Sequence, residues 1–141
     1  MPARLNGGKV PMFVLMNGIA WFEISADKPA DAERFYSQLF GWQFAPAEDQ
    51  RQGYRYVSVP GQAIGGGLLA SDGDIPNYAI FGVVVEDVEA TCREAEATGG
   101  RVMTPPKTDV PTGMTYAYLA DPSGNLLGVS SPPPAAANGG Q

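Results

Sequence analysis

The 141 residues carry fifteen acidic and nine basic side chains, a formal charge of −6, one cysteine and no histidine. Nine scattered Lys and Arg exclude the clustered basic surface that tracks nucleic-acid phosphates, and a lone cysteine excludes an internal disulfide. The missing histidines remove the commonest metal ligand and the commonest general base together.

A chain of this length is most simply one compact domain, burying roughly two-thirds of its unfolded surface. Residues 1–17 read as an N-terminal arm without the basic n-region, long apolar core and small-residue cleavage site of a signal peptide, so a cytoplasmic protein is expected. The apolar run 12–16 is too short to cross a membrane. It reads either as a packed lead-in or as an arm lying on the fold or on a second subunit.

A strand is expected at 21–25, with Phe22 and Ile24 on one face and Trp21, Glu23 and Ser25 on the other. Asp27 is placed to cap a following helix and Pro29 to occupy its first turn. Ala32, Phe35, Tyr36 and Leu39 form the apolar stripe of that helix, Asp31, Glu33, Arg34 and Gln38 its wet side, and Gly41 its stop. Strands follow at 42–44, 54–59 and, after the Pro60-Gly61 turn, 63–69, where Gly65, Gly66 and Gly67 imply close packing or a bulge. The first half is thus β-α-β-β-β.

Residues 71–77 read as a linker. Beyond it come a strand at 80–85, Asp87 as a cap, and a helix over 88–98 with Val88, Thr91, Cys92 and Ala95 inward. Among those neighbours Cys92 reads as a small buried helix residue rather than a nucleophile. Gly99-Gly100 ends the helix, a strand at 101–104 is broken by Pro105-Pro106, and strands at 114–119 and 126–130 flank the turn at 121–125. The second half repeats the first, and residues 131–141, rich in Pro, Ala and Gly, should fray.

A shift of 59 brings Phe22 onto Phe81, Ile24 onto Val83, Gly41 onto Gly100, Pro46 onto Pro105, Gly65 onto Gly124 and Leu68 onto Leu127. Punctuation and core positions coincide, which implies an internal duplication: module one at 18–70 and module two at 78–130, in one domain over 18–130. Each module must bury one sheet face against its helix, leaving the other face free to curl around a shared space where a ligand would lie.

Phe35-Tyr36 with Leu39-Phe40-Gly41-Trp42, the run from Val85 through Glu86, Asp87, Val88 and Glu89 to Ala90, and Asp121-Pro122-Ser123-Gly124-Asn125 together resemble the vicinal oxygen chelate superfamily. It comprises glyoxalases, bleomycin-resistance proteins and extradiol dioxygenases, and the small glyoxalase-like proteins are similar in their Phe-Gly-Trp form. The resemblance implies an α+β fold: two βαβββ modules in tandem, forming an open curved eight-stranded sheet. It also implies a frequent homodimer.

Catalytic members of the family hold a divalent metal with His, Glu or Gln on the first and last strand of each module. Carried onto this chain, those positions are Trp21, Ile80, Leu69 and Gly128, and none can ligate a metal. The expected function is therefore metal-free binding of a small organic molecule in an aromatic cleft, with no cofactor, nucleic acid or membrane partner. The expected ligand-binding residues are Trp21, Glu23, Tyr56, Ile80, Tyr116, Tyr118 and Gly128. Glu23, the one ionisable group near those positions, reads as an anchor for a ligand donor or as a catalytic base. It reads equally as a structural carboxylate paired with Arg55, Lys107 or a tyrosine. The alternative function is a lyase, isomerase or dioxygenase depending on Glu23, or on a divalent metal held by other ligands.

Overall fold

The computed structural model describes residues 16–46, 54–71 and 75–133. The expected N-terminal arm, apart from Met16 and Asn17, lies outside the described residues, as do residues 134–141 of the expected tail. The described residues divide into two compact units, Ala20–Phe81 and, together with residues 16–19, the part from Gly82 to 133.

The first unit contains β1 (Ile19–Ala26) from Ala20 onward, α1 (Pro29–Phe40), β2 (Gln43–Pro46), β3 (Arg55–Ser58) and β4 (Gly65–Ala70). β1 and β4 run parallel, β4 and β3 antiparallel, and β3 and β2 antiparallel, giving the order β2-β3-β4-β1. Alternation along β1 sends Phe22, Ile24 and Ala26 toward α1, where Ile24, Val57 and Leu68 form a buried core flanked by Ala32, Tyr36, Trp42 and Phe44. Leu68 is fully buried, a contribution of about 1.5–3 kcal/mol. Trp42 stacks on Tyr36 with centroids 5.1 Å apart and meets Phe22 at 5.3 Å.

Two expectations for α1 are corrected. Its N-cap is Lys28, which makes no side-chain cap bond. Asp27 instead accepts a hydrogen bond from Asn77 Nδ2 at 3.3 Å, which directs its carboxylate away from the helix amides. Only part of the apolar stripe packs: Ala32 and Tyr36 meet the core, while Phe35 and Leu39 remain more than half exposed. The Trp42 indole stacked on Tyr36 takes up the space between helix and sheet. Gly41 ends the helix with φ 75° and donates its N–H to Ser37 O, a conformation easily reached only without a side chain.

β5 (Tyr78–Val84) starts in the first unit, and its Gly82–Val84 end pairs in the second with β8 (Leu126–Ser131). α2 (Val88–Ala97), β6 (Arg101–Thr108) and β7 (Thr115–Ala120) complete the order β5-β8-β7-β6. Asn17 N–H donates to Val84 O at 2.7 Å, and Val84 N–H to Gly18 O at 3.1 Å, tying the N-terminal residues to this unit. The core is Val85, Val88, Cys92, Ala117, Leu119 and Val129. Asp87 caps α2 as expected, accepting from Ala90 N–H at 2.9 Å.

Pro105-Pro106 do not break β6, which continues to Thr108. Among the described residues it is an edge strand paired only with β7, and register shifts between Val102 and Lys107 accommodate residues without an N–H. The left-handed glycine after α2 is Gly99, φ 100°, rather than Gly100.

Among the described residues, eight strands and two helices in a twice-repeated β-α-β-β-β order make an α+β fold, and the strands of each unit pair in the same pattern. The constant shift of 59 does not survive to the last strands. Glu23 pairs with Gly67, and its counterpart Gly82 pairs with Gly128, so the offset has grown to 61. The β4 residue equivalent to Gly128 is therefore Gly67, and the equivalent of Leu69 is Ser130. Loops absorb added residues without disturbing the pairing on either side, so a rigid offset fails once such a loop is passed.

Candidate ligand site

On β1 the residues facing away from α1 are Trp21, Glu23 and Ser25. Glu23 and Ser25 are only 4% and 2% exposed. Register places Gly65, Gly67 and Leu69 of β4 beside them, and Tyr56 of β3 beside Gly67. Tyr54 meets Tyr56 edge-on at 5.7 Å. Its hydroxyl lies over Gly67, where a β-carbon would stand 1.9 Å from it. Gly66 points the other way, and a β-carbon there would come within 2.5 Å of Phe22 O. Pairing on both sides of β4 runs through all three glycines without a register shift, so the tract serves close packing and not a bulge.

Glu23 Oε2 accepts a hydrogen bond from the Tyr78 hydroxyl at 3.0 Å. A tyrosine is thus a partner of this carboxylate, as one of the sequence readings expects. Arg55 lies on the opposite face, its Nε 3.0 Å from Glu33 Oε1, joining β3 to α1. Tyr78 is inconspicuous in the sequence, because Pro76 and Asn77 extend the linker reading up to it. The usable signal was alternation: Tyr78 lies two residues before Ile80 and so shares its face of β5.

The expected residues thus fall into two groups. Trp21, Glu23, Tyr56 and Ile80 belong to the first unit, the first three on one sheet face with Tyr54 and Ser25 added. Tyr116, Tyr118 and Gly128 belong to the second. There Tyr118 pairs with Gly128 and Tyr116 with Ser130, on the face opposite the buried Ala117, Leu119 and Val129. Tyr116 and Tyr118 are edge-on at 6.1 Å, as Tyr54 and Tyr56 are.

The donor set does not fit the family's metal. Trp21, Ile80, Leu69 and Gly128 offer no ligating side chain, and the corrected register substitutes only Gly67 or Ser130. Glu23 adds one carboxylate, short of the three or four ligands a divalent site needs. Among the described residues no three His, Cys, Asp or Glu side chains converge. No helix among them is long and apolar enough to cross a membrane.

Fold and sequence together define a class. The sequence profile of the Glyoxalase/Bleomycin resistance protein/Dioxygenase superfamily matches residues 18–129, and the chain belongs to that superfamily. The Mycobacterium tuberculosis protein named "Putative glyoxylase CFP32" is 32% identical over 117 residues, covering 82% of this chain, and the Mycobacterium bovis protein of that name matches equally. The chain spans 44% of the length of those relatives. A Mycolicibacterium smegmatis protein is 30% identical over 111 residues, 77% of this chain and 89% of its own length. Methylmalonyl-CoA epimerase from Mycobacterium tuberculosis superposes with a TM-score of 0.57 at 22% identity, over 85% of this chain and 91% of the epimerase. A Bacillus halodurans protein superposes with a TM-score of 0.59 at 15% identity, over 85% of this chain and 97% of its own. These structural likenesses are of fold.

Proposed function

We propose that the chain binds a small planar organic molecule that donates hydrogen bonds, held against Glu23 by the aromatic side chains around it. The supporting observation is the buried Glu23 carboxylate, oriented by the Tyr78 hydroxyl at 3.0 Å on the face that carries Trp21, Tyr54 and Tyr56. A carboxylate there favours a cationic or donor-bearing group over an anionic one, and flat rings suit edge and face contacts with tyrosines. Tyr116, Tyr118 and Gly128 are proposed as ligand contacts of the second unit. Benzamidine and benzoate, near-isosteric and opposite in charge, test the reading by calorimetric titration. Benzamidine should bind, benzoate should not, and Glu23→Gln should weaken benzamidine by at least about tenfold. Equal affinity for both compounds, or for neither, overturns it.

The Glu23–Tyr78 pair also favours a second reading, because a carboxylate in contact with a phenol can pass a proton. Under it the chain is a lyase, isomerase or dioxygenase of the superfamily with Glu23 as base, and the name of the mycobacterial relatives supports it. Unchanged turnover by Glu23→Gln of any reaction found in a metabolite panel eliminates that role. No cofactor is proposed under the first reading; tight stoichiometric uptake of Ni, Zn, Fe or Mn by dialysed protein would contradict it. A cytoplasmic homodimer without nucleic-acid or membrane partners completes the proposal. Light scattering finding only a species near 14.8 kDa contradicts the dimer.

A further inference from the structure

The side chain without an evident purpose is Ser25. It is 2% exposed, and its hydroxyl oxygen is buried without a hydrogen-bond partner among the described residues. Such burial carries a desolvation cost with no bond in return, and an alanine of nearly the same size would avoid it. Ser25 lies on the same face of β1 as Trp21 and Glu23, two residues beyond the carboxylate and roughly 6.5–7 Å along the strand. Leu69 stands beside it on β4, as Gly67 stands beside Glu23. The hydroxyl is sealed from water, so contact with it requires a ligand to displace a covering side chain, and the resulting bond would form in a dry environment where it counts for more.

Resting on the binding reading above, we infer that Ser25 is a second polar contact for the ligand, taking a group at the end remote from Glu23. A serine hydroxyl both donates and accepts, so it takes a hydroxyl, carbonyl or amine equally. Glu23 takes a donor. The spacing between them matches a single six-membered ring substituted at opposite ends. The ligand class is therefore a para-disubstituted planar ring with a hydrogen-bond donor at one end and a polar atom of either sense at the other.

Benzamidine and 4-hydroxybenzamidine differ only by the polar group at the far end. Titrated into wild-type protein, the 4-hydroxyl should raise affinity by about threefold to tenfold, the worth of one hydrogen bond. Ser25→Ala and the near-isosteric Ser25→Cys should erase that difference while still binding benzamidine. Ligand-free Ser25→Ala should melt at or above the wild-type temperature, since it loses an unpaired hydroxyl. A 4-hydroxyl advantage that persists in both variants overturns the inference and leaves the binding reading standing. So does a ligand-free Ser25→Ala that melts several degrees lower, because that hydroxyl would then have a structural partner. Wild-type protein that binds neither compound overturns both readings.

Discussion

The Tyr54 hydroxyl occupies the place a β-carbon of residue 67 would take, 1.9 Å from it, so the ring and the glycine are mutually dependent. Gly67→Ala should force the far end of Tyr54 aside, at about 1–3 kcal/mol. Gly66→Ala should cost more, because its β-carbon meets backbone Phe22 O at 2.5 Å and the Phe22 ring at 2.6 Å. A carbonyl in a paired strand has less freedom to move than a phenol tip. Urea unfolding of the two variants checks the ranking, and equal losses would count against the packing argument.

Tyr78→Phe removes the hydroxyl that donates to the buried Glu23 carboxylate at 3.0 Å. The expected loss is about 1.5–3 kcal/mol, the range for a hydrogen bond to a charged group. Combined with Glu23→Gln in a double-mutant cycle, the two changes should be clearly non-additive. Strict additivity would mean that the contact contributes nothing to stability.

Asp121 holds the turn between β7 and β8, accepting from the Asn125 side chain at 3.0 Å and from the Asn125 and Ser123 amides at 2.8 and 2.9 Å. The Asn125 side chain first and the Asn125 amide second hold its carboxyl below the usual range; desolvation opposes them, and the Ser123 and Gly124 amides add smaller contributions in the same direction as Asn125. The folded protein therefore binds this proton less readily than the unfolded chain. The resulting stabilisation is complete above the unfolded carboxylate pKa of about 3.9 and is lost as pH falls through the lower folded value. Melting temperature followed from about pH 6 to pH 2 should fall less steeply in Asp121→Asn than in wild type. Parallel acid limbs would remove Asp121 from the explanation.

Burial pushes the Cys92 thiol above its ordinary range, and the Glu96 and Glu89 carboxylates push it further. A thiol so placed in the core should react with an aromatic disulfide reagent only after denaturation. The sign at alkaline pH is opposite to that of Asp121: stability is present below the unfolded thiol pKa of about 8.5 and declines as pH rises toward the folded value. Cys92→Ala should flatten that decline. Rapid labelling of native protein would contradict the burial.

The elements were legible because local rules sufficed for them. Phe22 and Ile24 alternate toward one face, Gly41 and Asp87 bound their helices, and the repeat of β-α-β-β-β is visible as coinciding glycines and core residues. Asp27 failed as a cap because its carboxylate is drawn to Asn77, fifty residues away, a partner no local pattern contains. Pro105-Pro106 failed as a breaker because a proline is tolerated on a strand whose outer edge has no paired strand among the described residues, and edge position is a property of the sheet. The last-strand correspondence slipped from 59 to 61 because pairing between strands, and not chain distance, decides which residues are equivalent. Glu23 was legible as the singular carboxylate, since alternation alone put it opposite the helix-facing side. Its partner Tyr78, the tyrosine over Gly67 and a Ser25 hydroxyl with no hydrogen-bond partner among the described residues were decided only by tertiary structure, because each depends on which strand lies beside β1 and how closely their backbones approach.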